Sequence, residues 1–276
     1  MISSFGLFLG SLPLAHVAQG LSVDVLAKDA EAVNVYSQPI GSRMEFFARK
    51  FLGTPYVGFT LDQNPKEEKC TVLVTGLDCV TFMETVLNLA RTKRPTESSL
   101  NKSVAFTRYW NGRVNGYLSR LNYTSDWIFD NDRKKTVIDF SKSLPGAERF
   151  TKQVGYMSAN PEKYPALKEN INLLPRLEKQ EKESNQRTKW FVPLASIPEA
   201  EKQLQTGDII ALCGGPRGID CSHVGLIIVE NGVPHFVHAS STKKQVTFDK
   251  RLSEFLSGST STIGVMVARP VENLTP

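Results

Sequence analysis

The chain has 276 residues, of which 41% are hydrophobic and 22% charged, so it can bury a sizeable core as one large domain and is neither disordered nor fibrous. Its formal net charge is +5 at pH 7, with Lys and Arg mixed among acidic residues along the chain. This indicates mild attraction to anionic surfaces, and we expect no nucleic-acid partner.

The N-terminal stretch has some features of an export signal. An apolar run is followed by small residues around Ala18 and Gly20, but no positive charge precedes the run. Pro13 and His16 interrupt it, and it is too short to span a bilayer, so no transmembrane segment is predicted. We expect residues 1–36 to form an extended or partly helical arm, in which His16 has no functional role.

The first clear helix is predicted in "GSRMEFFARKFLGTPY". Glycine and proline are typical helix terminators, so the helix should end near Gly53 and Pro55. Met44, Phe47 and Phe51 recur at helical spacing and should lie on one buried side.

A second helix is predicted in "GLDCVTFMETVLNLAR". Its apolar residues recur at intervals of three and four and should form one buried stripe, consisting of Val80, Met83, Leu87 and Ala90. Asp78 is a good N-cap, which puts Cys79 at the first helical position. Unpaired N–H groups and the helix dipole favour a thiolate there, although an inert buried cysteine is also common at such a position.

The middle of the chain divides into two parts. Residues 103–133 combine a turn at Asn111 and Gly112 with many aromatic residues, which suits a surface ligand groove better than a core element. Residues 131–190 are charged, with weak helical periodicity around 162–182, and are predicted to be an inserted helical subdomain within a single catalytic domain, 1–276.

From Ala200 onward the pattern predicts strands. Five β-rich runs are parted by turn residues: "GDIIALC", "HVGLIIVENG", "VPHFVHASS", "QVTFD" and "IGVMVARP". Helices first and strands last indicate an α+β fold, with N-terminal helices packed on a C-terminal antiparallel β-sheet.

Two histidines are predicted to be neighbours on this sheet. A hairpin turn near Asn231 and Gly232 pairs residues whose numbers sum to roughly 462, so His223 lies close to His238 across the ladder. One imidazole could take the proton of the Cys79 thiol while the other fixes its tautomer. His235 alternates to the other face of its strand and is expected to be structural.

The four cysteines do not predict a metal site. The gaps between Cys70 and Cys79 and between Cys213 and Cys221 match no common zinc spacing, although a disulfide between the second pair is possible. Zinc held by the two histidines with Cys79 or Asp220 remains an alternative, but we expect no metal and no cofactor.

Five short motifs in this order resemble the NlpC superfamily of bacterial cell-wall cysteine peptidases: "GTPY", "LDCVTF", "TGDII", "SHVGLII" and "FVHAS". The resemblance covers roughly residues 40–90 and 200–270 and implies a papain-like core. It also implies that Cys79 is the nucleophile, His223 the general base, His238 the orienting third member and Tyr56 a tyrosine near the thiol. The backbone N–H of Cys79 would bind the oxyanion. A bacterial wall substrate implies a periplasmic or secreted protein.

The sequence departs from the superfamily at one informative position. Its peptidases generally carry Asp-Cys-Ser-Gly, in which the Asp and Ser help to bind the free amine of L-Ala on a peptidoglycan stem, whereas Val80 follows Cys79 here. Valine cannot accept a hydrogen bond from an ammonium group. An L-Ala nitrogen that is acylated by the lactyl group of N-acetylmuramic acid needs no such acceptor, and the scissile bond is then predicted to be that amide.

The middle segment "YWNGRVNGYLSRLNYTSDW" resembles that of a subfamily of N-acetylmuramoyl-L-alanine amidases that act on anhydro-muropeptides, a class of peptidoglycan-derived disaccharide peptides. The resemblance implies that this segment lies beside the active site. Aromatic and polar side chains of this kind stack on sugar rings and bind their hydroxyls, or else form a structural cluster. The predicted substrate-binding residues are Tyr56, Asp78, Tyr117, Arg120, Tyr123, Asp126 and Trp127.

Together these patterns predict a two-step cysteine amidase of peptidoglycan degradation or recycling. Three alternatives stay open: a γ-D-glutamyl-diamino acid endopeptidase of the same fold, a catalytically inactive wall-binding module, and a transglutaminase-like enzyme whose carboxylate would be Asp249.

Overall fold

The computed structural model describes residues 20–272 of the chain. Its longer helices precede most of the sheet, as predicted. The α-helices are α1 Val23–Ala32, α2 Ile40–Lys50, α3 Cys79–Arg91, α4 Glu97–Arg108, α5 Thr124–Arg133, α6 Tyr156–Ala159, α7 Pro165–Glu169, α8 Leu174–Gln186, α9 Ile197–Ala200 and α10 Leu252–Leu256.

The strands form one antiparallel sheet. They are β1 Val137–Asp139, β2 Glu148–Arg149, β3 Trp190–Pro193, β4 Ile209–Gly214, β5 Cys221–Glu230, β6 Val233–Ser240, β7 Gln245–Arg251 and β8 Thr262–Pro270. Their order is β2-β3-β8-β4-β5-β6-β7, and β1 also pairs with β8. The predicted α+β class and all five predicted C-terminal strands are therefore confirmed.

Strand alternation gives the sheet two apolar faces. Val224, Leu226 and Ile228 of β5 join the main core, which also contains the buried sides of α2 and α3. Ile227 and Phe236 face a second cluster on the other side, which is closed by α9 and α10. The period-2 pattern of β5 thus places α3 on one face and α10 on the opposite face.

Helix α2 agrees with its prediction. It ends at Lys50, and Met44, Phe47 and Phe51 are buried in the main core. Helix α3 differs at one position, because Met83, Leu87 and Ala90 are buried whereas Val80 is 36% exposed. Val80 is in the first turn of α3, beyond the part that the sheet covers.

The structure shows how two predicted segments join the rest of the fold. In the predicted N-terminal arm, Val23, Leu26 and Ala30 of α1 lie in the main core; residues 1–19, including His16, lie outside the described part. The segment 131–190 is not wholly a separate helical insertion, because β1 and β2 pair with the main sheet. Helices α6, α7 and α8 contribute to a small apolar cluster that also contains Tyr117, Leu118 and Tyr123.

Candidate active site

Cys79 is the first residue of α3, as predicted, because Asp78 caps the helix. The Thr81 backbone N–H donates to Asp78 Oδ1 at 2.7 Å, and the Asp78 N–H donates to Thr81 Oγ1 at 2.9 Å. This reciprocal capping box fixes where the helix begins and so fixes the direction of the Cys79 side chain.

The thiol of Cys79 is turned toward β5. Backbone N–H groups of Val224, Val80 and Cys79 itself approach the sulfur and favour its thiolate. Burial nevertheless raises the thiol pKa to about 12, and the neighbouring Asp78 carboxylate adds to the rise. Burial thus opposes the thiolate that the helix start favours, and a base is needed to remove the thiol proton.

The two histidines meet across the β5–β6 hairpin. Paired residues of this hairpin sum to 463, as in Leu226 with Val237, within one of the predicted value. His223 Nε2 lies 2.6 Å from His238 Nδ1. Burial lowers the pKa of His223 to about 3, helped by His238, and burial also lowers the pKa of His238 to about 4. Both imidazoles are neutral at pH 7.

The structure brings Cys79 to the residue next to His223. The sulfur faces the main chain of Val224, and the His223 ring lies edge-on to Phe236 with its Nε2 engaged by His238. Within residues 20–272, no hydrogen bond engages the other nitrogen of His223, Nδ1. No hydrogen bond joins it to the thiol either, and such contacts often tighten only when substrate binds.

The carboxylate of Asp249 lies near His238, and the sequence reasoning did not place it in this site. Asp249 Oδ2 on β7 lies 3.6 Å from His238 Nε2 and 2.5 Å from Lys243 Nζ. The signal was available, because β7 pairs His238 with Thr247 and strand alternation puts Asp249 on the same face. Sequence reasoning considered this residue only for the transglutaminase-like alternative.

Cys79 lines a cavity of about 290 Å³ between the start of α3 and the segment that follows α2. Its other lining residues are Tyr56, Gly58, Phe59, Leu61, Asp62, Asp78, Val80, Met83, Arg120, Leu121, Asn122, Thr124, Trp127 and Val224. The imidazoles line a separate hollow on the α10 side, with Ser240 and Asp249. Cys79 and the two imidazoles thus line two different concave regions.

Four of the seven predicted substrate-binding residues line the Cys79 cavity: Tyr56, Asp78, Arg120 and Trp127. The polar groups of two of them are already engaged. Arg120 makes hydrogen bonds to both carboxylate oxygens of Glu68 and to Asp62, and the Trp127 indole donates to Glu84 at 3.0 Å. Arg120 and Trp127 therefore shape the wall through their surfaces more than they offer free donors.

The other three predicted residues do not line this cavity. Tyr123 is buried and donates to Glu181 at 2.6 Å, and Asp126 accepts from Arg187 at 2.5 Å. Tyr117 packs in the small cluster beneath α6–α8. Aromatic and acidic residues next to a site look alike in sequence whether they face the ligand or the adjoining core.

Sequence reasoning missed an aromatic residue at the cavity wall. Phe59 is 79% exposed and has a φ of 61°, a left-handed conformation that bulky residues rarely adopt. Together with Val80 it gives the cavity an apolar edge. Nothing in the local sequence "VGFTLD" indicates a positive φ at a phenylalanine.

The remaining cysteines and acids serve the fold. Cys213 and Cys221 are free thiols with their sulfur atoms 3.7 Å apart, so the possible disulfide is not formed. Asp220 accepts from the Ser125 and Cys221 backbone N–H groups. His235 contacts the Asp249 backbone carbonyl, a structural role as expected.

Within residues 20–272 no cluster of three His, Cys, Asp or Glu side chains could hold a metal ion, and none of the helices is long and apolar enough to cross a bilayer.

Comparison with known proteins identifies a family for this chain. Residues 46–263 match the model of the AmiA-like family, described as N-acetylmuramoyl-L-alanine amidase-like. The chain belongs to this amidase-like family. Among solved structures, an N-acetylmuramoyl-L-alanine amidase from Bacteroides uniformis is 30% identical, with a TM-score of 0.78, covering 84% of this chain and 99% of that one.

Two further structures are similar in fold to this amidase-like chain. A putative xylanase from Bacteroides fragilis is 30% identical, with a TM-score of 0.72, over 80% of this chain and 98% of that one. A Legionella pneumophila protein is 21% identical, with a TM-score of 0.69, over 91% of this chain and 94% of that one. At this identity the likeness shows the fold alone. No curated protein matches the chain. The family membership supports a hydrolase that acts on peptidoglycan.

Proposed function

We propose that the protein is a cysteine-dependent N-acetylmuramoyl-L-alanine amidase. It hydrolyses the amide between the lactyl group of muramic acid and L-Ala in muropeptides, including anhydro-muropeptides. The observation that carries this proposal is the approach of the Cys79 thiol, at the start of α3, to β5 beside the His223–His238 pair, in a chain of the amidase-like family. The proposal includes a papain-like core of the NlpC superfamily, which the packing of α3 on the sheet supports. A periplasmic or secreted location accords with such a substrate.

The first step is acyl transfer to sulfur. His223 Nδ1 takes the thiol proton as Cys79 attacks the lactyl carbonyl carbon, and the backbone N–H of Cys79 stabilises the oxyanion. This N–H is available because the first N–H groups of a helix have no intrahelical partner. The C–N bond breaks, His223 returns the proton to the departing L-Ala nitrogen, and a thioester remains on Cys79.

The second step is hydrolysis. His223 removes a proton from water as the water oxygen attacks the thioester carbonyl carbon, the C–S bond breaks, and His223 returns this proton to the Cys79 sulfur. The muramic acid product departs and loses its carboxyl proton to solvent. A neutral imidazole is needed at the start of each step. The lowered pKa values of His223 and His238 keep the pair in that form at pH 7.

The bond specificity follows from Val80. Its side chain is partly exposed and lines the Cys79 cavity, where it adds apolar surface but no acceptor for an ammonium group. An acylated L-Ala nitrogen carries no charge and suits this wall. Of the Asp78 carboxylate, Oδ1 is already engaged by the Thr81 N–H and hydroxyl.

The products distinguish the candidate activities. Disaccharide anhydro-muropeptides are incubated with the protein and analysed by mass spectrometry, with Cys79→Ser as the control. We expect intact disaccharide together with a peptide that begins at L-Ala. Release of a diamino-acid fragment, with L-Ala and D-Glu left on the sugar, would support the endopeptidase instead. No product from folded, reduced protein would support a wall-binding module.

A further inference from the structure

Behind the nucleophile, four polar groups follow one another into the α10 side of the sheet. His223 Nε2 is 2.6 Å from His238 Nδ1, His238 Nε2 is 3.6 Å from Asp249 Oδ2, and the same oxygen is 2.5 Å from Lys243 Nζ. His238 Nε2 is buried, and no hydrogen-bond partner lies within reach of it in the part of the chain described here. The carboxylate of Asp249 is the acceptor that lies just beyond hydrogen-bond distance.

The proton positions in this row are interdependent. A neutral imidazole carries one N–H and one acceptor nitrogen. His223 can take the thiol proton at Nδ1 only if its own proton is on Nε2, which must then donate to His238 Nδ1. The His238 proton is consequently on Nε2 and points to Asp249.

We propose that Asp249 is a positioning residue that selects these tautomers. This inference rests on the proposed function. By accepting from His238 Nε2–H, the carboxylate keeps His238 Nδ1 as an acceptor, which keeps the proton of His223 on Nε2 and leaves Nδ1 ready for the Cys79 thiol. When that thiol proton arrives, His223 becomes an imidazolium that donates to His238, and no proton moves to Asp249.

Lys243 competes for the same carboxylate. Its ammonium contacts Asp249 Oδ2 from the turn after β6. Because the Lys243 side chain is half exposed, it can leave the carboxylate and move into solvent at little cost. A shift of roughly 0.7 Å would bring Asp249 to an ordinary N–H···O distance from His238. The surroundings on the remaining sides are uncharged rings: Phe236 stacks on His238 from β6 and Phe255 packs edge-on from α10.

Three titratable side chains therefore face His238 within the described residues. His223 lies on one side, and Asp249 and Lys243 lie on the other. Removing the carboxylate should lower the pKa of His238, and removing the ammonium should raise it, because the first stabilises the imidazolium and the second opposes it.

The test is NMR of the ¹⁵N-labelled full chain, which reports the tautomer and the titration of each imidazole. In the unaltered protein we expect the proton on Nε2 of both histidines. In Asp249→Ala the proton of each should move to Nδ1, whereas Asp249→Asn should keep the tautomers, because its amide oxygen can accept. The His238 titration should move to lower pH in Asp249→Asn and to higher pH in Lys243→Gln. Lys250→Gln, an exposed charge on the same strand, is the matched control.

Kinetics on the muropeptide substrate complete the test. We expect Asp249→Ala to lose about 100-fold in kcat with KM unchanged, within the range for general-base catalysis, and Asp249→Asn to recover most of it. Unchanged tautomers in Asp249→Ala would overturn the inference. If Asp249→Ala does not fold, a His238 titration that shifts in neither Asp249→Asn nor Lys243→Gln would overturn it. An unaltered protein without amidase activity would instead overturn the proposed function, while the NMR result would still decide the role of Asp249.

Discussion

Helix α3 carries a buried ion pair that supports the wall of the Cys79 cavity, and removing its charge should destabilise the fold. Glu84 accepts from Arg108 Nε at 2.7 Å and from the Trp127 indole at 3.0 Å. The side chains of Glu84 and Arg108 are only 1% and 2% exposed. Glu84→Gln keeps an acceptor for Trp127 but turns an amide toward the guanidinium and leaves the Arg108 charge uncompensated.

The expected loss is large. Breaking a buried ion pair by removing one charge costs about 3–5 kcal/mol in the free energy of unfolding. At about 2–4 °C per kcal/mol for a chain of this size, the Tm should fall by roughly 6–20 °C. The matched control is Glu183→Gln, which breaks the exposed Lys179–Glu183 pair at 3.9 Å and should cost about 0–1 kcal/mol. Thermal unfolding followed by circular dichroism measures both. A Tm for Glu84→Gln no lower than that of Glu183→Gln would refute this reasoning.

Three further outcomes are expected. The pKa of His223 falls from 6.5 to about 3 on folding, so the stability that the neutral imidazole contributes is present above pH 6.5 and is lost as pH falls toward 3. His223→Gln should therefore flatten the dependence of the free energy of unfolding on pH, measured by urea titration. Equal dependence in the two proteins would contradict this. Phe59→Ala should raise KM about fivefold at unchanged kcat, because an exposed ring at the cavity edge contributes binding alone, whereas an unchanged KM would exclude the contact. Gly225→Ala should lower both kcat and Tm, since its Cβ would lie 2.5 Å from the Phe236 ring that stacks on His238; crystals with an unmoved ring would contradict this.

The main elements of the fold were predictable because their patterns are local. Asp78 followed by an apolar stripe marks the start of α3, and alternating β-branched residues mark β4, β5 and β8. The meeting of His223 and His238 was predictable too, because a short Asn-Gly turn fixes the register of the β5–β6 hairpin.

What the sequence could not provide depends on long-range packing. Tyr123 and Asp126 bind Glu181 and Ser184 of α8, more than fifty positions away, and no local pattern distinguishes such a role from sugar binding. The raised pKa of Cys79 has the same origin: the helix dipole is visible in the sequence, but the burial that outweighs it is a property of the assembled core.

Cys79 is the proposed nucleophile, and its substitution tests this role. Release of the L-Ala-terminated peptide from anhydro-muropeptides is measured by mass spectrometry for the unaltered protein, Cys79→Ala and Cys70→Ser, each with and without a metal chelator. Cys70 is the matched control, because its thiol is also partly buried and free but lies outside the cavity lining. If Cys79 is the nucleophile, we expect loss of product only in Cys79→Ala, with no effect of the chelator. Activity that survives in Cys79→Ala and disappears with the chelator would contradict it.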